Sequence, residues 1–148
     1  MIIHAGIAQI PNSSDLDRNF RTIFSMLERF EHTEVRLVVF PECSLSGFTA
    51  QMQTCTPVRL EPYFLQIETW VAKSGIEVVL PTAISDNGRI FNSGRWFRAH
   101  GRTPFFKIGL TESEKKYFSI PEDTHPKVFV SNGFRFAVLI CADVAHLL

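Results

Sequence analysis

Three side chains of unlike chemistry stand at the ends of three apolar runs in this 148-residue chain. Cys141 follows Phe136-Ala-Val-Leu-Ile140, Glu42 follows Leu37-Val-Val-Phe40 and Pro41, and Lys107 closes Thr103-Pro-Phe-Phe106. Buried strands carry the residues at their ends to the edge of a sheet, where α/β proteins gather their sites. A cysteine there, ahead of a helix start, would have its thiolate favoured by free backbone amides, which could also hold an oxyanion. A carboxylate against apolar walls has a raised pKa and can accept a thiol proton. A fixed ammonium can stabilise the negative oxygen that forms when a thiolate attacks a carbonyl or nitrile carbon. Nucleophile, base and electrostatic stabiliser are the parts that acyl transfer needs.

Each residue alone has a plainer reading. A cysteine after an apolar strand is as a rule an inert buried residue. A glutamate at such a position can cap a helix or join a surface ion pair, and most lysines are solvated. The segment Pro41-Glu-Cys-Ser-Leu-Ser-Gly-Phe48 favours a site over a cap, because a Ser/Gly loop directly after a buried strand is where function is commonly placed.

The elements that must position the trio follow from periodicity. Residues 1–10 form an apolar run, 15–31 carry apolar residues at helical spacing, and 35–40 are a second apolar run ended by Pro41, giving strand, helix, strand. Phe20, Ile23, Phe24, Leu27 and Phe30 share one face of that helix, and Ser14 or Asp15 can cap its start. Residues 57–74 predict a second helix stopped by Gly75, with Leu60, Phe64, Ile67 and Val71 on its apolar face, and 76–83 a buried strand. After the turn signal Asp86-Asn87-Gly88, residues 90–98 and 102–107 read as strands linked through His100-Gly101, so the sheet is mixed. Residues 111–123 are polar and irregular, with room for one helical turn. A last strand pair, 127–130 and 134–140, joins through Ser131-Asn132-Gly133 and delivers Cys141. No repeat, low-complexity tract or linker interrupts the chain, which is expected to be one domain over residues 1–148.

Composition bounds the function. Fifteen Lys and Arg balance fifteen Asp and Glu, so no net charge attracts nucleic acid or an anionic membrane. No run approaches bilayer-spanning length, and residues 1–10 lack a basic leader and a long apolar run, so a cytoplasmic location is expected. Three widely spaced cysteines, Cys43, Cys55 and Cys141, suggest neither a disulfide framework nor a zinc site. Fourteen phenylalanines and the pair Phe105-Phe106 suggest apolar surface that an oligomer would bury.

The three segments in their order resemble the nitrilase, or carbon–nitrogen hydrolase, superfamily. Val39-Phe-Pro-Glu-Cys-Ser-Leu-Ser-Gly-Phe48 resembles its glutamate segment, Phe106-Lys-Ile-Gly-Leu110 its lysine segment, and Phe134-Arg-Phe-Ala-Val-Leu-Ile-Cys-Ala-Asp143 its cysteine segment. Ile90-Phe-Asn-Ser93 is similar to the strand before the lysine hairpin. The resemblance implies an α/β fold, a nitrilase-like αββα sandwich, with Glu42 as general base, Cys141 as nucleophile and Lys107 as stabiliser of the tetrahedral intermediate. Glu114 lies at the offset where the family carries a second, orienting glutamate, and Glu112 is its rival. The amide of Ala142 would share the oxyanion with Lys107. The implied substrate is a small amide, carbamoyl compound or nitrile, and neither metal nor organic cofactor enters.

Departures accompany the match. Gly109 stands where many members have histidine, and Val144-Ala-His-Leu-Leu148 lacks an Arg-Phe-Pro-Glu-like continuation. The family domain is nearly twice this length, so the resemblance implies a carboxyl-terminally incomplete domain, cut short after the nucleophile strand, whose bare sheet face a second copy or a complementing chain would cover. Two further readings stand beside the hydrolase. One is a catalytically silent truncated member acting as an interaction or self-association module. The other, ranked last because GxGxxG and Gly-Lys-Ser/Thr runs are missing, is a flavodoxin-like binding domain.

Overall fold

The structure, a computed structural model, describes residues 2–11, 13–131 and 133–146. The chain opens with strand β1 (Ala5–Ile7), helix α1 (Leu16–Phe30) and strand β2 (Leu37–Val39). Helix α2 (Pro57–Ser74) leads into β3 (Glu77–Asp86), β4 (Arg89–Arg98) and β5 (Gly101–Phe106). These five strands form one sheet in chain order. The pairs β1–β2 and β2–β3 are parallel, and β3–β4 and β4–β5 antiparallel, so the sheet is mixed as the shift from helical crossovers to hairpins requires.

Local chemistry sets these boundaries. Asp15 caps α1 by accepting from the Arg18 amide at 3.0 Å, and Gly75 ends α2 in the left-handed region at φ 70°, where a residue without Cβ is unstrained. Asn87 and Gly88, both at positive φ, make the two-residue turn that matches the twist of a hairpin.

Alternation along β3 divides the core into two layers. Val78, Leu80 and Ile84 face α1 and α2 and pack with Leu27, Leu60, Phe64, Ile67 and Phe97. On the opposite face Val79, Trp96 and Phe105 pack with Phe129 and Ile140, which belong to a second, two-stranded sheet of β6 (Val128–Ser131) and β7 (Phe134–Ala137) and to its continuation. Glu77 ties the two sheets: its carboxylate accepts from the Trp96 indole at 2.9 Å and from the Ser131 hydroxyl at 2.6 Å. Helices, five-stranded sheet and second sheet are the order of layers that a nitrilase-like α/β sandwich begins with.

The main sheet is tightly packed at Gly94. A Cβ there would lie 2.3 Å from the Phe105 ring and 2.7 Å from the Leu80 carbonyl oxygen. Gly94→Ala is therefore expected to cost about 1–3 kcal/mol, read as a lower urea midpoint at unchanged slope. An unchanged midpoint would mean that β3 and β5 yield there more readily than packed strands do.

Several expected elements differ in extent. The first strand pairs over three residues instead of ten, because its neighbour β2 is itself only Leu37–Val39; Met1 of that run lies outside the described residues. The last strand leaves its ladder at Ala137, because β6 offers only four partners, and β7 is largely exposed where a buried strand was expected. Of the turn Ser131-Asn132-Gly133, Asn132 lies outside the described residues, as do Leu147 and Leu148 of the terminal segment. Phe105 is a core residue rather than an apolar patch. The exposed apolar side chains include Val128 and Val130 on the outer face of β6, with Leu139 and Val144 beyond it. No helix among the described residues is long and apolar enough to cross a membrane.

Candidate active site

Glu42 leaves β2 through Pro41 and enters a loop that is held on three sides. The Ser46 hydroxyl accepts from the Ala83 amide at 2.9 Å, the Asn19 side chain of α1 donates to the Leu45 carbonyl at 2.9 Å, and the Gly47 amide closes onto the Cys43 carbonyl at 2.8 Å. Cys43 itself sits at φ 53°, a conformation a side chain accepts only where its surroundings enforce it.

Lys107 extends the β5 ladder by one residue, its amide donating to the Asn92 carbonyl at 2.8 Å. Its side chain is fully buried, and the ammonium donates to Glu42 Oε1 at 2.8 Å and also to Glu114 Oε1. Glu114 lies in a single 3-10 turn (Glu114–Lys116), with its other oxygen accepting from the Thr111 amide and hydroxyl, each at 2.9 Å. Glu112 is exposed and pairs with Lys115, so Glu114 is the glutamate that meets Lys107. Burial alone would lower the Lys107 pKa, but the hydrogen bonds to Glu114 and Glu42 outweigh it and hold the group above its ordinary 10.5. Burial would raise Glu114, yet the bonds from Lys107 and Thr111 hold it below 4.5. Lys107 and Glu114 thus hold each other in their charged forms.

Asn92, 1% exposed in the middle of β4, donates to Glu42 Oε1 at 2.6 Å. One carboxylate oxygen of Glu42 is occupied by Asn92 and Lys107, which leaves Oε2 as the oxygen available to a reacting group.

Cys141 is the exposed cysteine of the three, whereas Cys43 and Cys55 are buried. It adopts φ 48°, in the region that costs a non-glycine residue about 1 kcal/mol or more. The thiol makes no hydrogen bond to Glu42 or Lys107 among the described residues. It shares with Glu42 a cavity of about 280 Å³ whose walls include Val39, Pro41, Val79, Pro81 and Val138. The Ala142 amide makes no hydrogen bond among the described residues and remains a free donor beside the thiol. Burial pushes the Cys43 thiol up to about 12, and the Glu42 charge adds to it, so the cysteine adjacent to Glu42 is an inert packing residue.

Two site residues escaped the reading of the sequence, Asn92 and Asp143. A polar residue inside an otherwise β-forming strand is the signal that could have found the first. Asp143, 1% exposed at the start of the short helix α3 (Asp143–His146), accepts from the amides of Ile140, Ile108 and Gly109. Among the described residues no group of three or more His, Cys, Asp and Glu side chains is placed to hold a metal ion.

The model of the carbon-nitrogen hydrolase family matches residues 4–146. Among solved structures the chain is similar to an amidase from Nesterenkonia sp. with a TM-score of 0.82 and 18% identity, over 96% of this chain and 56% of that one. A mutant of the Nesterenkonia sp. AN1 amidase whose active-site cysteine has undergone Michael addition of acrylamide gives 0.83 at 17% identity, covering 97% and 59%. A glutamine-dependent NAD+ synthetase from Acinetobacter baumannii gives 0.76 at 23%, covering 97% of this chain and 28% of that one. These likenesses are of fold, and the chain spans little more than half the amidase. No curated protein sequence matches significantly.

Proposed function

Since the chain belongs to the carbon–nitrogen hydrolase family, we propose that it hydrolyses a non-peptide amide, carbamoyl or nitrile carbon–nitrogen bond through a thioester on Cys141. With an amide or carbamoyl substrate Glu42 takes the thiol proton as Sγ attacks the carbonyl carbon; with a nitrile the attack gives a thioimidate, and addition of one water to it supplies the oxygen and reaches the same tetrahedral intermediate. The oxygen, now negative, is held by the Lys107 ammonium and the Ala142 amide. Collapse breaks the carbon–nitrogen bond, and the proton on Glu42 goes to the leaving ammonia or amine. Water then attacks the thioester with Glu42 again as base, releasing the free thiol and a carboxylic acid, or a carbamic acid from a carbamoyl substrate. Glu114 keeps Lys107 charged and aimed.

The observation that supports this reading is the buried Lys107 ammonium paired with both Glu42 and Glu114, with Glu42 in turn lining a cavity that Cys141 shares. The reacted cysteine of the amidase relative agrees with an amide-like substrate. We place the chain in the cytoplasm, where three free thiols stay reduced.

A second reading is a silent interaction or self-association module, favoured by the exposed Val128 and Val130. One experiment separates the two. Purified chain is incubated with a panel of short aliphatic amides, carbamoyl compounds and nitriles, ammonia release is followed, and solution mass is measured on the same sample. Release from at least one class, with an acyl adduct on Cys141 by mass spectrometry, is the expected result. Silence across the panel together with a stable dimer mass would favour the module.

A further inference from the structure

We propose that Asp143 is a positioning residue that locks the Cys141 turn to the Lys107 loop. The inference rests on the reading of Cys141 as nucleophile and Lys107 as its electrostatic partner.

The Asp143 carboxylate is 1% exposed and is met by three backbone N–H groups. Oδ2 accepts from the Ile140 amide at 2.8 Å, while the Asp143 amide donates back to the Ile140 carbonyl at 3.0 Å. This reciprocal pair closes a loop around Cys141 and Ala142, and Cys141 is held within it at φ 48°. Oδ1 accepts from Ile108 at 2.9 Å and Gly109 at 2.6 Å, the two residues directly after Lys107. One planar group therefore sets the nucleophile's turn against the loop that carries the cation.

Only an acceptor-only side chain of this length satisfies all three donors. Asparagine has one carbonyl oxygen, and its NH₂ would oppose either the Ile140 amide or the pair from Ile108 and Gly109. A carboxylate bonded to amides is also stronger than a neutral acceptor. Asp143 holds the backbone amides on either side and leaves the thiol and the Ala142 amide to the substrate, so it acts through its neighbours.

The test uses the whole chain carrying Asp143→Asn, with two readouts. The first is kcat per titrated Cys141 thiol, which corrects for any unfolded fraction. It is expected to fall roughly 10²-fold, the cost of displacing a reacting group by about 1 Å, while KM stays within about threefold. The second is amide hydrogen exchange, which needs no turnover: Ile108, Gly109 and Ile140 are expected to exchange about tenfold faster while β3 and β4 keep wild-type protection. Exchange that accelerates equally throughout, or remains unchanged at those three amides, overturns the proposal. A wild-type chain inert on every amide would count against the hydrolase reading, and the exchange result would still decide for or against the clamp. Should Asp143→Asn not fold, wild-type exchange decides: protection of the three amides as one group is expected, and exchange at the rate of open loops overturns it.

Discussion

Lys107→Met is expected to cost about 3–5 kcal/mol of stability and to lower turnover roughly 10²–10³-fold. Methionine matches lysine in length and tolerates irregular packing, so the loss is of charge, not of volume. What remains is two carboxylates, Glu42 and Glu114, that met at one ammonium and now face each other with only Asn92 and Thr111 as donors. Removing one partner of a buried ion cluster is costly because the others stay behind uncompensated.

The pH dependence gives the sharper sign. In the wild type the Glu114 carboxyl lies below its ordinary 4.5, so its contribution is present above that value and is lost as the pH falls through the lowered one. The Lys107 group lies above 10.5, and its contribution is present below 10.5 and lost as the pH rises through the raised value. The cluster thus adds stability across the range between. In Lys107→Met the crowded carboxylates should share a proton, which raises a folded-state pKa and reverses the acid-side slope. Between neutral pH and about pH 5 the urea midpoint should then rise for Lys107→Met and stay nearly level for the wild type, whose Glu114 contribution is lost only below 4.5. Parallel movement would mean that Lys107 does not compensate both glutamates.

What the sequence reveals of this fold depends on how local each determinant is. The Asp15 cap, the Gly75 stop and the Asn87-Gly88 turn act through backbone bonds within a few residues, so the elements they bound were legible. The run Phe136-Ala-Val-Leu-Ile140 misled, because its apolar character has two causes. Its first residues pair with β6, and Ile140 is buried by packing on the main sheet without belonging to a ladder. Periodicity cannot separate these. Asn92 and Asp143 were hidden for another reason: their partners lie 50 and 35 residues away along the chain, and nothing in either neighbourhood says that a buried amide or carboxylate is awaited there. Glu114 and Glu112 could not be told apart by offset alone. The turn that buries Glu114 against Lys107 and turns Glu112 toward Lys115 comes from tertiary packing.

Cys141→Ala is expected to abolish turnover, by roughly 10⁴-fold or more, while leaving stability within about 0.5 kcal/mol of wild type. The first follows because no other thiol can substitute. Cys43 and Cys55 are both 0% exposed, and Cys43, pushed up to about 12 by burial and the neighbouring glutamate, carries almost no thiolate at neutral pH. Iodoacetamide should therefore modify the folded wild type once, at Cys141, leave folded Cys141→Ala unmodified, and reach the buried thiols only in denaturant. The second follows because Cys141 is exposed, and alanine inherits the same left-handed backbone with the same strain. Cys141→Gly separates strain from chemistry. It is equally inactive, but without a Cβ it is released from a cost of about 1 kcal/mol, offset in part by the greater freedom of glycine in the unfolded chain. It should be at least as stable as Cys141→Ala by urea denaturation. A glycine variant clearly less stable than the alanine variant would mean that the turn is not strained at this residue, and turnover surviving either substitution would remove Cys141 from the mechanism.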